Sequence, residues 1–246
     1  MPKGKSGIKR GGKGQSGGSI PQATTIADAN ALAVSLGLAK HADFGNLDVS
    51  VANEMIAQIQ ATKSMYPGLQ ELEVIGANGK VREYLGGSGK NGNAYGYFME
   101  NPRTGLIGIG INPNYYSSAS IVKTRVELKD EEYNLWRPVG SGSVKGVIDH
   151  EIGHWIDHSM GLSKGGRILQ LFRTYYERHE TYFTLPNGTT TKGSPKMARV
   201  LSRYANKNGK EFFAEAWSEY RNNPNPRPIA KEIGDITMSS MGVKTK

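Results

Sequence analysis

Apolar and polar positions along the chain change period twice, and each change predicts a change of element. Residues 23–40, with Ala27, Ala31, Val34, Leu36 and Leu38, predict a short helix. Val51, Met55, Ile56 and Ile59 predict a second helix that ends near Ser64, before "YPG". "LQELEVIGA" then alternates and predicts a strand, with "KVREYLG" pairing to it across "NGK" as a hairpin. "GGSGKNGNAYG" is a glycine-rich loop, and no Gly-Lys-Ser/Thr follows at the spacing of a phosphate-binding loop. "YGYFMEN" and "TGLIGIGINPNYY" predict two strands of an antiparallel pair, the second with Gly108 and Gly110 at alternate positions, where another backbone can come close.

From Ser141 the period becomes helical. Helices are expected near 142–160, 163–180, 194–206, 209–222 and 227–240, with "LPNGTTTKGS" as a turn region between the second and third. The fold class that follows is α+β, with a small antiparallel sheet in the middle and a helical C-terminal half. Three segments are expected: a disordered basic tail (1–19), an N-terminal helical and strand region of unassigned role (20–90), and a main domain (91–240).

Composition narrows the chemistry. At 246 residues the chain can bury a real core. It has no cysteine, so disulfides, thiolate nucleophiles and sulfur-ligated zinc are excluded, and any zinc ligands must be His, Asp or Glu. The net charge of +9 is uneven: residues 1–19 hold five basic residues, no acids and seven glycines, leaving 26 basic against 22 acidic residues elsewhere. Such a tail acts as a solubilising leader, or touches nucleic acid or another acidic partner through its charge. No apolar run approaches the roughly 18 residues that span a bilayer, so no membrane association is expected. The basic N-terminus lacks an apolar h-region, so no ordinary signal peptide is expected, which leaves cytoplasmic, virion-associated or non-classically delivered locations open.

The strongest local signal is "VIDHEIGHWIDHSMGL", which carries three of the five histidines. His150 and His154 stand at i and i+4, on one helix face about one turn apart, a separation that suits two imidazoles on one Zn²⁺. Glu151 lies beside them, positioned to act on a water as general base. Val144, Val147, Ile148, Ile152, Trp155 and Ile156 give the helix a core-facing side, and Gly153 implies another segment passing close by. His158 lies about 12 Å from His150 along the axis, too far to share the same ion. The third ligand is therefore expected on a later helix, from Glu177, Glu180, Glu211 or Glu215. Glu211 and Glu215 are better placed, as i and i+4 on a helix anchored by Phe212, Phe213, Ala216 and Trp217. There the first carboxylate binds metal while the second orients a ligand histidine.

"HEIGHWIDH" together with "YANKNGKEFFAEAW" resembles the catalytic domain of the anthrax lethal factor family of zinc peptidases, and the related domains of phage Mu-type minor head proteins and polymorphic toxins. The match is specific from about Val144 to Tyr220 and extends more loosely from Asn93 to about Ile236; the first 90 residues resemble no known family. The resemblance implies a zincin-like metallopeptidase fold with Zn²⁺ as cofactor and a protein or peptide as substrate. It implies Glu211 as third zinc ligand, Tyr204 as catalytic tyrosine beside the base Glu151, and Glu215 and Asp157 as supporting carboxylates. It also implies that "TGLIGIGIN" lies above the metal helix and offers its edge to a peptide, against the plainer reading of a packed strand with small residues. The activity expected is a zinc-dependent endopeptidase. Two alternatives stand beside it: a phage structural or nucleic-acid-binding protein with a vestigial metal site, and a zinc amidase acting on cell-wall peptides.

Overall fold

The computed structural model describes residues 21–178 and 181–243. The basic tail expected at 1–19 lies outside the described residues, as does Glu180.

The described chain is mixed α+β. Helix α1 (Ile26–Ser35) starts at a capping box, in which Thr25 Oγ1 accepts from the Asp28 N–H and the Asp28 carboxylate accepts from the Thr25 N–H. A three-residue strand β1 (His41–Asp43) leads to α2 (Val49–Met65), capped by Asp48, which buries Val51, Met55, Ile56 and Ile59 as their spacing predicts. Strand β2 (Val74–Ala77) follows, then helix α3 (Asn78–Tyr84). The hairpin expected across "NGK" is therefore absent: "KVREYLG" is helical and packs Val81 and Leu85, one turn apart, against Val74.

Strands β3 (Gly96–Glu100) and β4 (Ile107–Ile111) form the expected antiparallel pair. The sheet they join is mixed rather than antiparallel. Its order is β1-β2-β4-β3, with β1–β2 and β2–β4 parallel. Strand β4 is consequently paired on both sides and has no edge to offer, which overturns the reading of "TGLIGIGIN" as a substrate-binding edge. Its alternation has a packing cause. Ile107, Ile109 and Ile111 enter the main core, whereas Gly108 and Gly110 let α3 lie against the opposite face. A Cβ at Gly110 would stand 2.9 Å from Asn78 Cα, and one at Gly108 2.9 Å from Val81 Cγ1.

Helices α4 (Pro113–Tyr116) and α5 (Ile121–Tyr133) lead to the long α6 (Val144–Met160). Ser143 caps α6 by accepting the Gly146 N–H at 3.0 Å. Helix α7 (Gly166–Tyr175) is shorter than the expected 163–180, and the turn region after it proves to be part of a hairpin of β5 (Thr181–Thr184) and β6 (Thr190–Gly193). The helix expected at 194–206 is α8 (Pro195–Val200) followed by a separate 3-10 turn at Tyr204–Asn206. Helices α9 (Gly209–Asn222), capped by Asn208, and α10 (Pro228–Ser240) close the fold.

Helices α6 and α9 form the centre of the core. Trp155, Ile152 and Ile156 from α6 and Phe212, Phe213, Ala216 and Trp217 from α9 are wholly buried. Gly153 is where the two backbones meet, since a Cβ there would lie 2.9 Å from Ala214 Cα. One cluster of buried apolar residues runs from Ala23 to Ile233, and β1 and β2 share a sheet with β3 and β4. The core thus does not divide near residue 90. Among the described residues no helix is long and apolar enough to cross a membrane.

Candidate metal centre

The crossing of α6 and α9 places His150 and His154 opposite Glu211. His150 Nε2 and His154 Nε2 are 3.1 Å apart, and Glu211 Oε2 lies 3.2 Å from the first and 3.1 Å from the second. These three residues are the group of metal-ligating side chains found among the described residues. A tetrahedral ion with bonds of about 2.0–2.1 Å needs its donors roughly 3.3–3.4 Å apart, so the triangle is close to the size required.

The protons point the same way. Glu215, one turn beyond Glu211 and fully buried, sets Oε1 2.7 Å from His150 Nδ1, and its Oε2 accepts the Ser202 hydroxyl at 2.6 Å. The pair is close but lacks hydrogen-bond alignment; a carboxylate at that distance favours a proton on Nδ1, which frees Nε2 for a metal ion. Three donor atoms that converge on one point could hold a metal ion. Burial works against a charged His150, but Glu211 and Glu215 outweigh it and lift its pKa to about 10, so the pocket favours a positive charge, carried either by a proton on the imidazole or by a metal ion. Burial alone would raise Glu211, yet the two histidines hold its carboxyl far below the usual carboxylate range. The site is a negative field shaped to keep one positive charge.

Glu151 follows His150 on α6 and turns toward the sheet. Its Oε2 accepts the Phe98 N–H at 2.8 Å, and burial raises its pKa. Gly96 permits this approach, because a Cβ there would stand 2.8 Å from Glu151 Oε1. The bonds Asn112 N–H to Tyr95 O and Asn101 N–H to Leu106 O fix the ladder, so the backbone groups of Gly96, Phe98 and Glu100 face away from β4. The free edge beside the metal group therefore belongs to β3, not β4.

Tyr204 reaches the group from the 3-10 turn before α9. Its hydroxyl lies 3.5 Å from Glu211 Oε1 and accepts from Lys207 Nζ at 3.0 Å. Burial raises its pKa. Lys207 Nζ also stands 3.4 Å from Glu211 Oε1. Asp157 is placed differently. It is buried, but both its oxygens accept from Ser163, by the N–H and the hydroxyl at 2.6 Å each, so it fastens the segment after α6. His158 is outside the group, with Nε2 3.2 Å from Gln70 Oε1 and its ring against Phe98. Glu177 is remote as well, its carboxylate accepting from the Lys196 N–H and the Ser194 hydroxyl.

The cleft beside the group is lined by Tyr95, Gly96, Trp136, Arg137, Val147 and Tyr204, among others. Of these only Tyr204 is legible from sequence. The outward backbone of β3 depends on sheet order, and "LWRPVG" carries Trp136 and Arg137 with no local motif. Comparison of the chain with protein-family models, with curated proteins and with solved structures finds no match.

Proposed function

We propose that this chain is a zinc-dependent endopeptidase. The observation that carries the reading is the convergence of His150 Nε2, His154 Nε2 and Glu211 Oε2 within 3.2 Å of one another, with the buried carboxylate of Glu151 beside them. A sulfur-free His₂Glu donor set suits Zn²⁺ and leaves a position open. Bound there, zinc supplies Lewis-acid polarisation of a carbonyl and a lowered pKa for water. The resemblance of "HEIGHWIDH" and "YANKNGKEFFAEAW" to the anthrax lethal factor family supports the same reading.

The chain's own residues then divide the work. Glu215 keeps His150 in the tautomer that presents Nε2. Glu151, its pKa raised by burial, takes the proton of the attacking water and returns it to the leaving amine. The Tyr204 hydroxyl, kept protonated by burial, donates to the oxyanion that forms on the scissile carbonyl. An extended peptide pairs with the outward backbone groups of Gly96 and Glu100 on β3, the Phe98 N–H being held by Glu151, and so runs past Glu151.

The test compares wild type with Glu151→Gln. Wild type should carry about one zinc per chain and cleave a peptide library. The variant should keep its zinc and lose about 10²- to 10⁴-fold in turnover. Equal cleavage by both proteins would overturn the reading.

A further inference from the structure

Arg137 is the one guanidinium on the wall of the metal-side cleft. It sits in the loop between α5 and α6 with its side chain 11% exposed. Its Nε donates to Glu131 Oε2 at 2.6 Å, and its plane lies over the Tyr95 ring, 4.9 Å from the centroid. Glu131 is held in turn by the Tyr95 hydroxyl, 3.3 Å from Oε1. Neither terminal nitrogen of Arg137 makes a hydrogen bond among the described residues. Nor are they sealed in the interior, since the buried polar atoms lacking partners include none from this residue. The side chain is therefore fixed through Nε at the wall of the cleft, with its four terminal N–H donors unspent among the described residues.

The surroundings say what would fill it. Tyr95, Trp136 and Val147 supply the apolar part of the wall, and Arg137 beside them is its one permanent cation, placed to fix the orientation of a ligand. A guanidinium fork matches a carboxylate with two parallel hydrogen bonds. Glu151 and Glu215 border the same cleft, so a single negative charge suits it better than a doubly charged phosphate. We propose that Arg137 makes this cleft a carboxylate-binding subsite, selecting peptides that present an acidic side chain or a chain-terminal carboxylate near the cleaved bond. The inference rests on the peptidase reading above and names its substrate class.

The experiment profiles wild type, Arg137→Gln and Arg137→Lys against a degenerate peptide library offered with free and with amidated C-termini, cleavage sites being read by mass spectrometry. Asp and Glu should be enriched at one fixed position if the side chain is the ligand. Cleavage should instead fall on amidation if the terminus is. Either preference should drop by at least about tenfold in Arg137→Gln and in Arg137→Lys, which keeps the charge but not the fork.

A second arm removes turnover. Zinc-loaded Glu151→Gln is used to select binders from the same library, and it should retain acidic peptides only when Arg137 is present. If wild type cleaves nothing yet this selection is Arg137-dependent, the peptidase reading fails and the subsite stands. If wild type cleaves without acidic or terminal preference, the subsite is refuted and the peptidase reading stands. Should both Arg137 variants melt early, the wild-type profile decides alone: no acidic or terminal enrichment overturns the proposal.

Discussion

The two oxygens of Glu211 have different neighbours. Oε2 faces the histidines, while Oε1 stands near the Tyr204 hydroxyl and Lys207 Nζ. Replacing Glu211 by Ala removes a donor, and zinc affinity measured by chelator competition should fall by more than about a hundredfold. Glu177→Ala, which disturbs only the contacts to Ser194 and Lys196, should leave that affinity unchanged. A second residue reports through pH. Asp149 is buried, with Oδ2 accepting from Asn222 at 2.9 Å and Oδ1 lacking a partner. Burial raises its pKa to about 6. Between about pH 4, where the unfolded aspartate titrates, and pH 6, the folded state keeps a proton that the unfolded chain has released. Stability from this group is greatest at the acid end of that window and lost as pH rises through it, by about 2 kcal/mol. Asp149→Asn cancels that slope. The melting temperature of wild type relative to the variant should therefore fall from pH 4 to pH 6 and stay level above it.

Among elements, α6 and α9 matter most, because their crossing sets every distance in the metal group. Gly153 allows the crossing, and Gly153→Ala tests it. A gain in helix propensity of about 1 kcal/mol should be outweighed by overpacking against Ala214, for a net loss of about 1–2 kcal/mol in denaturant unfolding, with weaker zinc binding. These helices were legible because apolar residues and ligand types recur with one period, and His150 with His154, and Glu211 with Glu215, share a helix face for the same reason. Other elements left weaker traces. Helix α5 buries only Ile121, Thr124 and Leu128 and exposes Val122 and Val126, so its apolar residues mark no single face. In α3, Val81 and Leu85 fit a short strand as well as one helical turn, and only the packing on Val74 and β4 decides. The β5–β6 hairpin is mostly exposed and has no apolar alternation to reveal it.

At the scale of the molecule, sequence pattern indicated α+β but not the order of strands. Parallel pairing joins segments distant in sequence, and nothing local to β2 or β4 announces its partner. The cleft inherits that difficulty: Arg137 and Gly96 line it together only once β3 is the outer strand and the α5–α6 loop stands beside the same cleft. Residues 21–90 belong to the same sheet and core. They contribute β1 and β2, and the Gln70 carbonyl accepts the Trp155 indole N–H of the metal helix at 2.8 Å.

Strand order also bears on solubility. A fragment beginning at residue 91 would bare the flank of β4 that β2 now covers, a run of Ile and Gly with no charge and no proline. Such a fragment should self-associate on refolding, visible as oligomers in size-exclusion chromatography, whereas the full chain should not. In that sense residues 21–90 work as an internal guard against aggregation, and the His150–His154–Glu211 group rests on a segment that supplies none of its side chains.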